Sequence, residues 1–179
     1  MTATFNTWIR IGGQLATSRA EPLLCAIAAA DVSTERGETP FAPDDANELL
    51  AAGREGYLLL GDPQSKQGKF PQLESTCRLL ELSYTRFTAA TDETDAELVD
   101  FRPEMSKPLV RTGSSADWDR VLIDVSIIQQ VLSRLYAGQV QQAIQILAEA
   151  CPPISELPPF ELVEEGAQLP REGGRSAFI

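Results

Sequence analysis

The spacing of apolar and polar positions changes near residue 114, and the two sides of that change predict different architecture. On the N-terminal side the pattern is one of short strands and short helices. Thr7-Trp8-Ile9-Arg10-Ile11 alternates in β-rich residues and predicts a strand ended by Gly12-Gly13. Ser18-Arg19-Ala20-Glu21 has the spacing of a capping box and predicts a helix start, with Leu23, Leu24, Ile27 and Ala28 on its apolar face. Pro43-Asp44-Asp45 opens a second short helix that carries Leu49 and Leu50 and stops at Gly53. Tyr57-Leu58-Leu59-Leu60, between Gly56 and Gly61, reads as a strand buried on both faces. A helix over 71–81 with Leu73, Cys77 and Leu80 on one side leads to a strand over 83–88 with Tyr84 and Arg86 on one face. Strand, helix and strand in that order most simply form a right-handed parallel crossover. Leu98-Val99-Asp100-Phe101 adds a weaker fourth strand.

Beyond residue 114 the steps become three and four. Ser114 to Asp117 is a helix start signal, followed by Trp118, Val121, Leu122, Val125, Ile128, Leu132, Leu135 and Tyr136. Ile127 and Val131 lie off that stripe, which implies a second buried surface against the sheet or a partner. After Gly138 a second helix runs through Val140, Ala143, Ile144 and Leu147 to Pro152-Pro153, making an antiparallel hairpin. Gly138, Ala143 and Ala150 resemble the second helix of a tetratricopeptide repeat. That family binds peptides between repeats, and a single unit builds no such groove, so the segment is read simply as a hairpin. The predicted fold is α/β: a small three- to four-stranded mixed sheet with a βαβ unit in residues 1–105, a helical hairpin over 106–151 packed on it, and a Pro/Gly-rich extended tail over 152–179.

Composition narrows the function. At 179 residues with 43% hydrophobic and 23% charged residues the chain is of globular type. Its 26 acids outnumber 15 bases for a net charge of −11, which argues against direct binding to nucleic acid or an anionic membrane. The chain opens without a basic region leading into an apolar stretch, and its three cysteines suggest neither a disulfide framework nor a metal site, so a cytoplasmic protein is expected. Histidine is absent, which removes Ser-His-Asp and Cys-His catalysis and imidazole metal sites together.

The remaining candidates for chemistry are few. Gly12-Gly13 lies where a phosphate could sit, yet neither G-x-G-x-x-G nor G-x-x-x-x-G-K-[ST] is present, and no cofactor is indicated. Asp62 follows an apolar strand and, with Asp44, Asp45, Lys66 and Lys69, could form a carboxylate site for a metal-dependent hydrolase or nuclease. Gly61-Asp62-Pro63 is also ordinary turn chemistry. Asp92, Glu93, Asp95, Glu97 and Asp100 place five carboxylates in nine residues with no base among them. Such a run serves solubility, or attracts a basic partner, or mimics nucleic acid toward a basic protein. Trp118 leads the long helix at a position that suits helix packing or a partner contact. The reading that accommodates all of this is a non-catalytic interaction or accessory subunit of a larger prokaryotic-type assembly. It would meet a protein partner with a basic surface through the acidic stretch and the long C-terminal helix, with Trp118, Ile127 and Val131 as contacts.

Overall fold

The computed structural model describes residues 5–34, 40–65, 68–114 and 117–164, with the backbone alone at Arg54 and over 117–119. In chain order the elements are β1 (Phe5–Ala16), a 3-10 turn (Thr17–Arg19), α1 (Glu21–Ala30), α2 (Ala46–Ala51), β2 (Gly53–Arg54), β3 (Tyr57–Ser65), α3 (Pro71–Leu79), β4 (Ser83–Thr88), β5 (Glu97–Phe101), β6 (Leu109–Ser114), β7 (Asp117–Val121), α4 (Val125–Tyr136), α5 (Val140–Ala150) and β8 (Phe160–Val163). Mixed α/β is right, but the three- to four-stranded mixed sheet is not. Seven strands run antiparallel in the order β2-β3-β1-β4-β5-β6-β7, and β8 lies parallel to the end of β1.

Two physical causes account for the larger sheet. First, β1 continues past Gly12-Gly13 to Ala16 and occupies the gap between β3 and β4, pairing antiparallel with both. The strand–helix–strand unit over 57–88 is therefore present, but its two strands never touch. Second, β5 would be an open edge if the sheet stopped at Phe101, and unpaired edges are a liability. Leu109–Ser114 covers that edge and β7 pairs in turn with β6. Consequently the residues predicted to begin the long helix, Ser114 and Asp117 to Val121, are strand. The helix starts instead at Asp124, whose carboxylate accepts the Ser126 N–H at 2.7 Å.

Helix starts follow local chemistry where a free side chain allows it. Asp45 caps α2 by accepting from Asn47 N at 2.7 Å and Glu48 N at 3.1 Å, while Glu48 accepts from Asp44 N at 2.9 Å. In α1 the predicted capping serine lies in the 3-10 turn, and the capping position is Ala20, with Pro22 in the first turn where no donor is needed.

One sheet face presents Ile9, Ile11, Leu58, Leu60, Tyr84, Val99 and Phe101, and all are buried in one core with Leu23 and Ile27 of α1 and Leu73 and Cys77 of α3. Tyr84 and Phe101 stack at 5.6 Å. Arg86 stands on the same face, wholly buried. It pairs with Glu74 of α3 at 2.9 Å and with Glu97, and donates to Thr88 and to the Gly68 carbonyl. The opposite face has a smaller cluster of Phe87, Ala96 and Leu98. Beside that cluster, residues 151–159 cross the sheet as a strap. Gly13 N donates to the Pro159 carbonyl at 3.0 Å and Phe160 N to the Gly56 carbonyl at 2.7 Å. Among the described residues no helix is long and apolar enough to cross a membrane.

Candidate functional site

The hairpin is built by ordinary helix rules and then breaks one. Gly138 at φ 73° takes the left-handed position that ends α4, and Gln139 N closes on the Arg134 carbonyl at 2.8 Å. Arg134 also donates to the Gln139 side chain at 2.9 Å, and α5 follows at once, packed against α4. Between the two helices, Ala143 is buried and Ile127, Val131, Ile146 and Ala150 are half-buried, which marks the seam. The rule broken is burial of the apolar stripe. Val125, Ile128, Leu132, Leu135 and Tyr136 of α4, with Val140, Ile144 and Leu147 of α5, are all exposed, up to 89% at Tyr136, and α4 buries none of its residues.

The exposed positions are ordered. Val125, Ile128, Leu132 and Leu135 step by three, four and three, and Val140, Ile144 and Leu147 by four and three, the spacing of a coiled-coil seam. Ile128 and Leu132 each follow a seam residue by one, as do Ile144 and Leu147, a rotation of about 100° about the axis. Because the helices are antiparallel, equal rotations turn both stripes to the same side. The result is an apolar slab two helices wide.

A second candidate lies under the strap: a cavity of about 740 Å³ bounded by Arg10, Tyr57, Thr85, Asp100, Arg102 and Arg111 on the sheet side and by residues 151–157 above. Its charges are largely spent on one another. Asp100 accepts from Thr85 at 2.8 Å and pairs with Arg111 and, at 3.8 Å, with Arg102. Arg102 donates to the carbonyls of Tyr84 and Phe101 at 2.9 Å and of Ser155 at 3.0 Å, and burial holds its guanidinium below the ordinary range against the pull of Asp100. These bonds tie the strap to the sheet. On the far side of the strap a wider cleft of about 1470 Å³ contains Arg19, Glu81, Arg102 and Glu104. There the Ser155 hydroxyl donates to Glu104 at 2.7 Å and depresses its carboxyl.

The residues singled out from sequence are dispersed. Asp62 lies within β3 opposite Thr7, not in the turn expected at Gly61-Asp62-Pro63, and accepts the Gln64 N–H at 2.8 Å; Asp45 is a helix cap, and Lys66 lies outside the described residues. Among the described residues no three His, Cys, Asp or Glu side chains converge to hold a metal. Cys77 is buried and its thiol is pushed far above the usual range by desolvation and by Glu74, which leaves it a packing residue. Of the acidic run, Asp92, Glu93 and Asp95 are exposed together on one loop, whereas Glu97 and Asp100 are turned inward onto Arg86 and Arg111. Trp118 has its backbone in β7, and its side chain lies outside the described residues. Ile127 and Val131 sit in the hairpin seam. The long helix is expected from sequence to make contacts, but the exposed residues are its main stripe and not Ile127 and Val131, because helical spacing is the same for a buried stripe and an exposed one. The near-absence of charge over 125–150, Arg134 and Glu149 alone, was the available signal. In comparisons with known proteins, no family model, no curated protein and no solved structure matches the chain.

Proposed function

We propose that the protein is a non-catalytic interaction subunit whose docking element is the α4–α5 hairpin. The observation that supports this is the slab of eight exposed apolar side chains, seven of them at coiled-coil spacing. Monomeric soluble proteins rarely leave such a contiguous apolar surface in water, and a patch of this kind marks an interaction site. The sheet domain serves as the scaffold that carries it. Its buried ion pairs and its strap engage Glu74, Arg86, Glu97, Asp100, Arg102 and Arg111 within the fold. The exposed Asp92, Glu93 and Asp95 form a secondary surface that would favour a basic neighbour at the edge of the assembly.

The test is site-specific photocross-linking in the native cell. A photoreactive residue at Leu135 or Ile144 should trap discrete adducts, whereas one at exposed Leu79, on the helical side of the sheet, should trap none. Equal, diffuse labelling from all three positions would refute the hairpin as the docking element.

A further inference from the structure

Three properties of the slab select its partner. The first is charge. The chain carries −11, yet the hairpin residues 125–150 contain one arginine and one glutamate and are otherwise apolar, Gln, Ser, Ala, Gly or Tyr. A strongly charged partner would have nothing to pair with there, so the fitting surface is itself neutral and apolar. The second is periodicity. Both helices show the same outward seam, so the slab is complementary to another pair of helices with that spacing, and it is itself such a pair. The third is area. The exposed fractions amount to roughly four whole apolar residues, or ~800 Å² per copy at about 150–250 Å² for a large residue. Doubled, and with only part of that covered on docking, this exceeds the ~1,000 Å² that a specific interface needs.

We infer that the partner is a second copy of this chain, the two hairpins closing slab to slab into a four-helix bundle. This inference rests on the hairpin being the docking element. Electrostatics sets the orientation. α4 has 12 residues and so is roughly 18 Å long, about two Debye lengths at physiological salt. An antiparallel, face-to-face arrangement of the two hairpins keeps the acidic sheet domains at opposite ends of the bundle, where their repulsion is screened.

Sedimentation equilibrium of the full chain is the test. The wild type should be a dimer at micromolar concentration, and its association should hold or tighten as salt rises from about 50 to 500 mM, because screening relieves repulsion between acidic bodies. Leu132→Asp with Ile144→Asp should raise the dimer Kd at least ~100-fold, placing two charges in the centre of each slab. Tyr136→Lys, at the most exposed position, is the second variant and cannot unfold the monomer. It should weaken association with an unchanged far-UV spectrum and urea midpoint. A wild type that stays monomeric at ~100 µM overturns self-association. If Leu135 cross-links a different protein in cells at the same time, the docking role stands and only the identity of the partner falls. If it cross-links nothing, both fall. A dimer that survives both variants also overturns the inference.

Discussion

Replacing Arg86 by Met should be the most damaging single change in the sheet, and the reason can be worked from its partners. Arg86 is 2% exposed, and it pairs with the largely buried Glu74 at 2.9 Å and with the partly exposed Glu97. Methionine keeps the aliphatic stem, so little packing is lost. Glu74, however, would lose its direct counter-charge and keep only the Phe70 N–H at 3.1 Å and the Tyr84 hydroxyl at 3.5 Å, with Arg78 reaching it only through that hydroxyl at 3.3 Å. Breaking a buried pair by removing one partner costs about 3–5 kcal/mol, a large share of the ~5–15 kcal/mol that holds a domain together. With a urea slope of about 2 kcal/mol/M, the midpoint should fall by about 1.5–2.5 M. Neutralising the stranded carboxylate should give much of this back. Arg86→Met with Glu74→Gln should recover about 1.5–3 kcal/mol relative to the sum of the single changes. Urea unfolding followed by circular dichroism on all four proteins gives the cycle. A loss below ~1 kcal/mol for Arg86→Met, or a coupling indistinguishable from zero, would refute the reasoning.

Further expectations follow from other contacts. Gly12→Ala would drive a Cβ to 1.9 Å from the Pro158 carbonyl oxygen, so it should lift the strap and expose residues 151–159 to limited proteolysis, with a cost of about 1–3 kcal/mol. Asp100→Asn should cost about 2–4 kcal/mol by stranding Arg111, while Asp92→Asn should stay within about 0.5 kcal/mol, both read by urea midpoint. At high pH, burial and then Glu74 raise the Tyr84 phenol from 10.0 to about 12, so the folded state holds its proton after the unfolded chain has lost it. Stability from this group is whole below pH 10 and declines toward pH 12, by up to about 2–3 kcal/mol, and Tyr84→Phe should flatten that decline in midpoints measured across the range.

Where an element was legible in the sequence, its cause was local. Asp45 caps α2 because a carboxylate two and three residues ahead of free N–H groups needs nothing else from the fold. The hairpin, its turn at Gly138 and the strands over 57–60, 83–88 and 98–101 likewise follow from short-range spacing. Tertiary structure decided what those elements meet. β1 pairs on both edges, so a strand–helix–strand unit that reads as a parallel crossover opens around an inserted strand. Pairing with β5 makes β6 a strand despite its weak alternation, and β7 follows it, turning residues with helical spacing around Trp118 into sheet. Glu97 and Asp100 look like the end of an acidic surface run in one dimension, but the register of β5 sets them against Arg86 and Arg111. The apolar stripe of the hairpin has the same spacing whether it is buried or exposed. Periodicity fixes which side chains share a face, and only the packing of the whole chain determines whether anything covers it.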